Sequence, residues 1–206
     1  MRADYADKSL YKALFAHMTY DNALALRTSL ETGLRIGDVL ALRPTDIRGR
    51  TIYYTASKTG KRGRCTVTKD LADRLRRAAG SVYVFESRTR ADRHRSRQAV
   101  WRDVKRAAAA LRAAGLLDDR NLSVHSARKT FAVDDMERHG LRHTQRALQH
   151  RDKSTTKLYA LSDKYLPGAG CRIDTIVPIL REIDQKIDII LTNFENNGNL
   201  LSQDQL

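Results

Sequence analysis

Two imidazoles, a guanidinium and a phenol fall within a short stretch of the second half of the chain. His125 and Arg128 stand in VHSARKTFA, and His150 and Tyr159 in LQHRDKSTTKLYA. Such a set could attack a phosphodiester without a metal ion. The phenol would be the nucleophile, and the guanidinium would meet the charge that develops on phosphorus. The imidazoles would shuttle protons or donate hydrogen bonds. His125 and Arg128 are three residues apart, so a helix there would place both on one face.

The charge of the chain points to the same class of substrate. Its 206 residues carry 38 Lys and Arg against 24 Asp and Glu, a net charge of +14. An excess of this size implies a polyanionic partner, with nucleic acid as the first candidate. The charge is uneven. From Ile173 onward six acids face two bases, a net −4, which leaves +18 on the body. The body would bind the polyanion, and the acidic tail would stay off it. No apolar run reaches the roughly 18 residues of a membrane-spanning helix. Met1 is followed by charged residues rather than a signal-peptide core. Cys65 and Cys171 have no CxxC spacing, so neither a disulfide framework nor a zinc site is expected, and a reducing cytoplasm or nucleoid is the natural compartment.

The elements that must position these groups are legible in part. Residues 8–18 have helical periodicity. Asp21 reads as the N-cap of a second helix, closed by Gly33. RIGDVLALR reads as a third helix ending before Pro44. The period then changes to two. TIYYTAS (51–57) and RCTVT (64–68) predict a hairpin whose tip, KTGKRG, is mobile and basic. Residues 69–79 are helical, and VYVF (82–85) reads as a third short strand. The basic run 86–97 has no apolar anchor and reads as DNA-contacting or disordered. A helix is expected over Gln98–Ala114, ended by Gly115. Asn121 or Ser123 would open the helix carrying His125 and Arg128. Short helices are expected over 144–149 and 154–162. After the breaker-rich LPGAGC, a heptad seam runs from Ile176 to Phe194 and predicts a helix that docks on a neighbouring protomer, the other reading being a helix packed on its own domain.

These residues together resemble the catalytic domain of the tyrosine recombinases, the phage integrase family. The resemblance runs from about Asp21 to about Tyr165. TGLRIGDVLALR resembles the first arginine box, with Arg35 at the arginine position. SKTGK resembles the hairpin lysine, at Lys58. HSARKTFA resembles the H-x-x-R box, at His125 and Arg128. LQHRDKSTTKLYA resembles the terminal box, with His150 and Tyr159. Four boxes in the right order make a specific signal, whereas any one alone would be weak.

The resemblance implies an α+β fold, mostly α, with a small antiparallel sheet. It implies site-specific cleavage and rejoining of double-stranded DNA through a 3′-phosphotyrosine on Tyr159. Arg35 and Arg128 would grip one phosphate from two sides, which a guanidinium fork does better than a point charge. His125 would assist proton transfer, His150 would donate a hydrogen bond to a non-bridging oxygen, and Lys58 would protonate the leaving 5′ oxygen. Lys61 and Arg62 would touch backbone phosphates. His17, His94, His139 and His143 have no matching box and are expected to be structural or solvent-facing. No metal and no nucleotide cofactor is implied.

The acting unit would be a homo-tetramer on DNA, a free monomer being compatible with it. Residues 1–165 would be the catalytic domain, with the family's N-terminal core-binding domain absent, and 166–206 a linker and C-terminal helix. Two other readings share part of this pattern: a type IB topoisomerase-like nicking and closing enzyme, and a catalytically silent DNA-binding regulator. Three positions depart from the family pattern. Gln149 stands where glycine is usual before the second histidine, Asp38 where glutamate is commoner, and Lys129 where histidine is common.

Overall fold

The computed structural model describes residues 3–149. Expectations for His150, Tyr159, the helix over 154–162, Cys171 and the C-terminal heptad helix lie outside the described residues.

The order of elements is α1 (Lys8–Ala16), α2 (Tyr20–Thr32), α3 (Ile36–Leu40), a 3-10 turn (Pro44–Asp46), β1 (Ile47–Arg48), β2 (Thr51–Thr55), β3 (Arg62–Thr66), α4 (Lys69–Ala78), α5 (Arg97–Ala113) and α6 (Val124–Leu148). The strands form one antiparallel sheet in the order β1-β2-β3, with Ile47 opposite Ile52 and Ile52 opposite Cys65. The expected α+β fold, mostly helical with a small antiparallel sheet, is the fold observed.

Helix α2 is the hub, packing on α3, α4, α5 and α6. Leu24, Ala25, Leu26 and Leu30 are buried in the main core with Leu71 and Leu75 of α4 and Val104 and Leu111 of α5. A helix covered on most sides must also bury polar residues, and these turn back onto the main chain. The Thr28 hydroxyl donates to Leu24 O (2.8 Å), Thr32 to Thr28 O (2.6 Å) and Ser29 to Leu34 O (2.7 Å). Each otherwise unmet hydroxyl would carry a desolvation penalty of roughly 1–3 kcal/mol.

Three expectations need correction. The N-cap of α2 is Thr19, not Asp21. Asp103 on α5 accepts from the Thr19 amide (2.9 Å), the Thr19 hydroxyl (2.8 Å) and Asn22 Nδ2 (2.8 Å), so a distant carboxylate fixes this helix start. The third strand is β1, not 82–85. Val84 and Phe85 are buried as the pattern suggested, but Val84 donates its amide to Leu42 O outside any ladder.

The basic run 86–97 is a described loop, and its anchor is polar rather than apolar. Arg95, 7% exposed, reaches Asp21 at 2.5 Å, and Glu86 pairs with His94 in an isolated bridge. The short helix expected over 144–149 is the second limb of α6, which follows a kink at Gly140, where the backbone adopts φ 77°, ψ 172°. That conformation is open only to a residue without a Cβ.

Cys65 is a packing residue, as burial pushes its thiol up to about 12, well above the range of reactive cysteines. Among the described residues no helix is long and apolar enough to cross a membrane.

Candidate active site

Arg35, at the boundary between α2 and α3, owes its position to the glycine two residues before it. Gly33 closes α2 in the left-handed region (φ 70°), and a Cβ there would overlap the Phe131 ring. The tight exit turns the chain so that Arg35 becomes the N-cap of α3, with an extended backbone and a half-buried side chain.

The same glycine tethers the second arginine. Arg128, 5% exposed on α6, donates from one terminal nitrogen to Gly33 O (2.5 Å) and from the other to Leu148 O (2.7 Å). The guanidinium plane is thereby fixed between the end of α2 and the end of α6. Two arginines 93 positions apart in the sequence become neighbours of one turn.

His125 lies one turn before Arg128, at the start of α6. Ser123 caps this helix, its hydroxyl accepting from the His125 amide (3.2 Å), while the Ser126 hydroxyl accepts from the Ser123 amide (3.0 Å). This reciprocal cap fixes the first turn.

His125, Arg35 and Ser57 line one open groove with Arg97, Trp101 and Lys105 of α5. The N-caps of α5 (Ser96) and α6 (Ser123) both border it, so two helix N-termini present their partial positive charge there. The groove is therefore a positive concavity with a histidine at its rim, suited to a phosphate.

The electrostatics act on that histidine. His125 keeps solvent access, yet local burial lowers its pKa, and Arg128, Arg35 and Arg97 lower it further. Arg35 and Arg97 line the groove with His125, and Arg128 follows His125 by one turn of α6. The neutral imidazole is the favoured form at pH 7, ready to accept a proton. The sign for stability follows. The unfolded chain takes up this proton near pH 6.5 and the fold resists it, so His125 makes the fold less stable as pH falls below that value. An NMR titration should find His125 below the usual histidine range. Arg97→Ala should raise it, and a bound phosphodiester should raise it more; a pKa indifferent to both would contradict this account.

Lys58 projects from the exposed β2–β3 turn, whose base is fixed. Asp38 of α3, 4% exposed, accepts the Ser57 amide at 2.9 Å, so the arginine box holds the root of the lysine hairpin. Asp38 makes no ion pair with Arg35 among the described residues. The shorter acid in this box thus serves the hairpin. Lys61 and Arg62 are exposed at the start of β3.

The other two departures also have structural partners. Lys129, 2% exposed, donates to Ala3 O (3.2 Å) and holds the N-terminal segment on α6. Gln149 caps α6 in the left-handed region (φ 52°), where glycine would be unstrained. Its Nε2 donates to Tyr54 Oη of β2 (3.2 Å), and Thr59 Oγ1 of the hairpin turn lies 3.5 Å from its Oε1. Gly63 of β3 leaves room for this contact, since a Cβ there would meet Tyr54 and Gln149 within 3 Å.

Arg97 was missed at the sequence level. It stands at the end of a run dense in arginine, where no local signal separates it from its neighbours. Its side chain lies over Gly37 on the first turn of α3, at 3.2 Å from where a Cβ would be.

Comparison with known proteins gives the fold its relatives. The catalytic domain of bacteriophage HP1 integrase is 19% identical, with 79% of this chain aligned to 90% of that one at a TM-score of 0.59. A lambda integrase dimer bound to a COC' core site is 20% identical, with 78% of this chain aligned to 48% of that one at a TM-score of 0.64. XerA recombinase is 19% identical, with 80% of this chain aligned to 62% of that one at a TM-score of 0.60. The chain thus spans about half the length of the lambda protein and nearly all of the HP1 domain. At these identities the likeness is one of fold. No curated protein matches the sequence. The Phage integrase family matches residues 5–165, beginning well before the Asp21 boundary suggested by the boxes, and with that span the chain belongs to the phage integrase family.

Proposed function

We propose that this protein is a tyrosine-type site-specific DNA recombinase, which cleaves and rejoins strands through a covalent link to Tyr159. The Tyr159 phenolic oxygen attacks the scissile phosphorus. The bond to the 5′ oxygen breaks, and the phosphoryl group stays on the enzyme as a 3′-phosphotyrosine. The leaving 5′ oxygen takes its proton from Lys58. A 5′-hydroxyl from a second strand then attacks, and tyrosine leaves, so the bond energy is kept and no ATP is needed.

Arg35 and Arg128 supply the positive charge that meets the transition state, His125 takes part in proton transfer, and His150 donates to a non-bridging oxygen. The observation that carries this reading is that Arg35, Arg97 and His125 line one groove bordered by two helix N-termini, with Arg128 one helical turn beyond His125. Lys61 and Arg62 contact backbone phosphates beside it.

The partner is double-stranded DNA. Lambda integrase has been solved as a dimer on a core site and as a tetramer on a Holliday junction, and XerH on its difH substrate. We extend that assembly to this chain, as a homo-tetramer acting on two sites in the nucleoid, with residues 1–165 as the catalytic domain and 166–206 passing to a neighbour.

A nicked suicide substrate tests the reading. Cleavage releases a short strand that cannot return, so wild-type protein should accumulate a covalent DNA adduct on denaturing gels. Tyr159→Phe should give none. An adduct that persists in Tyr159→Phe would move the nucleophile elsewhere, and no adduct on any DNA from the flanks of the encoding locus would leave a silent DNA-binding regulator. Exchange between two DNA molecules, rather than relaxation of one, separates a recombinase from a nicking-closing enzyme.

A further inference from the structure

The kink in α6 carries a cluster that the recombinase reading does not use. Asp135 and His139 precede Gly140, and His143 and Thr144 follow it. Asp135 is 7% exposed, and each of its carboxylate oxygens meets an imidazole: Oδ1 lies 3.0 Å from His139 Nδ1, and Oδ2 lies 2.9 Å from His143 Nδ1. The two rings are tilted at 43° to each other with centroids 4.6 Å apart. The Thr144 hydroxyl donates to Oδ2 at 2.7 Å.

We propose that Asp135, His139 and His143 form a binding site for a divalent transition-metal ion, zinc being the best fit. One donor atom from each residue lies within 4.8 Å of the other two. Zinc binds imidazole nitrogen and carboxylate oxygen at about 2.0–2.2 Å, which sets ligand-to-ligand distances near 3.4 Å in a tetrahedron. Whichever carboxylate oxygen binds, its 2.9–3.0 Å separation from one imidazole opens by about half an ångström, and the remaining donor pairs lie within 4.8 Å. Each imidazole enters through Nδ1, with its ring proton on Nε2. The hydroxyl of Thr144 is the supporting partner that holds the carboxylate, as metal sites commonly require.

Three protein ligands leave a fourth position for water. Both histidines are about half exposed, which gives the ion a path from solvent. The consequence is mechanical. The ligands come from both sides of Gly140, so the ion clamps the two halves of α6 at a fixed angle. The site lies outside the groove of Arg35 and His125 and takes no part in phosphoryl transfer.

The test uses the full chain, stripped with a chelator and titrated with ZnCl2 against a chromophoric competitor at pH 7.5. The expected result is one zinc per chain. His139→Ala and His143→Ala should each weaken binding about 100-fold or more, beyond the 10–100-fold typical of losing a mere supporting residue. His17→Ala should leave binding unchanged. With CoCl2, visible absorption of a four-coordinate ion should appear without the near-ultraviolet band of a thiolate ligand. Both histidines are exposed, so their variants should fold, and circular dichroism checks this. No binding below about 100 µM zinc, or binding that both histidine variants retain, would overturn the proposal.

Discussion

Arg128→Ala lowers the melting temperature by roughly 6–12 °C and cuts DNA cleavage at least about 100-fold. Both effects come from one buried guanidinium. It donates to Gly33 O and Leu148 O, two charge-assisted hydrogen bonds that tie the end of α2 to the end of α6. Bonds to a charged donor contribute about 1.5–3 kcal/mol each, and a carbonyl left unpaired in the interior adds a desolvation penalty. A loss of about 3 kcal/mol translates to the stated shift for a chain of this size. The catalytic loss follows from removing a preorganised positive charge beside the groove, an effect of about 10²–10³ in rate. Arg128→Lys should not restore activity, because an ammonium cannot span both carbonyls in one plane. Thermal unfolding and the rate of suicide-substrate adduct formation check the two halves separately. A variant with wild-type stability would show that the carbonyl bridge is incidental.

Arg35→Ala should separate the two effects. Arg35 is half-buried at the N-cap of α3 and forms no ion pair among the described residues. Its loss should change stability by about 0.5 kcal/mol or less, as expected for a surface position without such ties. Adduct formation should nonetheless fall about 100- to 1,000-fold, since in the proposed mechanism that charge faces the phosphate. The same substitution should raise the His125 pKa, because Arg35 is one of the groups that depress it. A melting temperature that falls as far as in Arg128→Ala would mean that Arg35 is a structural residue first.

Much of the fold was legible because its signals are local. Gly33 and Gly115 end helices in the left-handed conformation, as a residue without a Cβ does at such ends. The hairpin of β2 and β3 follows from two alternating runs around a glycine-containing turn. What escaped notice depends on partners far away in sequence. β1 has two residues, too few for any period to register. The start of α2 is set by Asp103, 84 residues from Thr19. The loop 86–97 is anchored by a buried arginine rather than an apolar side chain, so a reading that searched for hydrophobic anchors found none.

The candidate site divides in the same way. Arg35, Lys58, His125 and Arg128 stand in boxes that name them, whereas Arg97 is one arginine among many. His139 and His143 match no box, and the sequence alone gives them a structural or solvent-facing role. Their spacing from Asp135, four and eight residues, puts all three on one helix face, and that was the available signal. Glycine at 140 masked it, since a glycine within such a pattern suggests a break rather than a bend.

Gln149 gives the hairpin and the terminal box a shared handle. Its strained backbone immediately precedes His150 in the sequence, and its side chain holds Tyr54 of the strand that leads to Lys58. Coupling of this sort is reciprocal: whatever steadies one side of the link steadies the other to the same degree in free energy. A partner that steadied the turn of Lys58 would, by the same link, steady Gln149. Under the roles proposed for Lys58 and Tyr159, one event at the hairpin then bears on both the acid and the residue that precedes the terminal box.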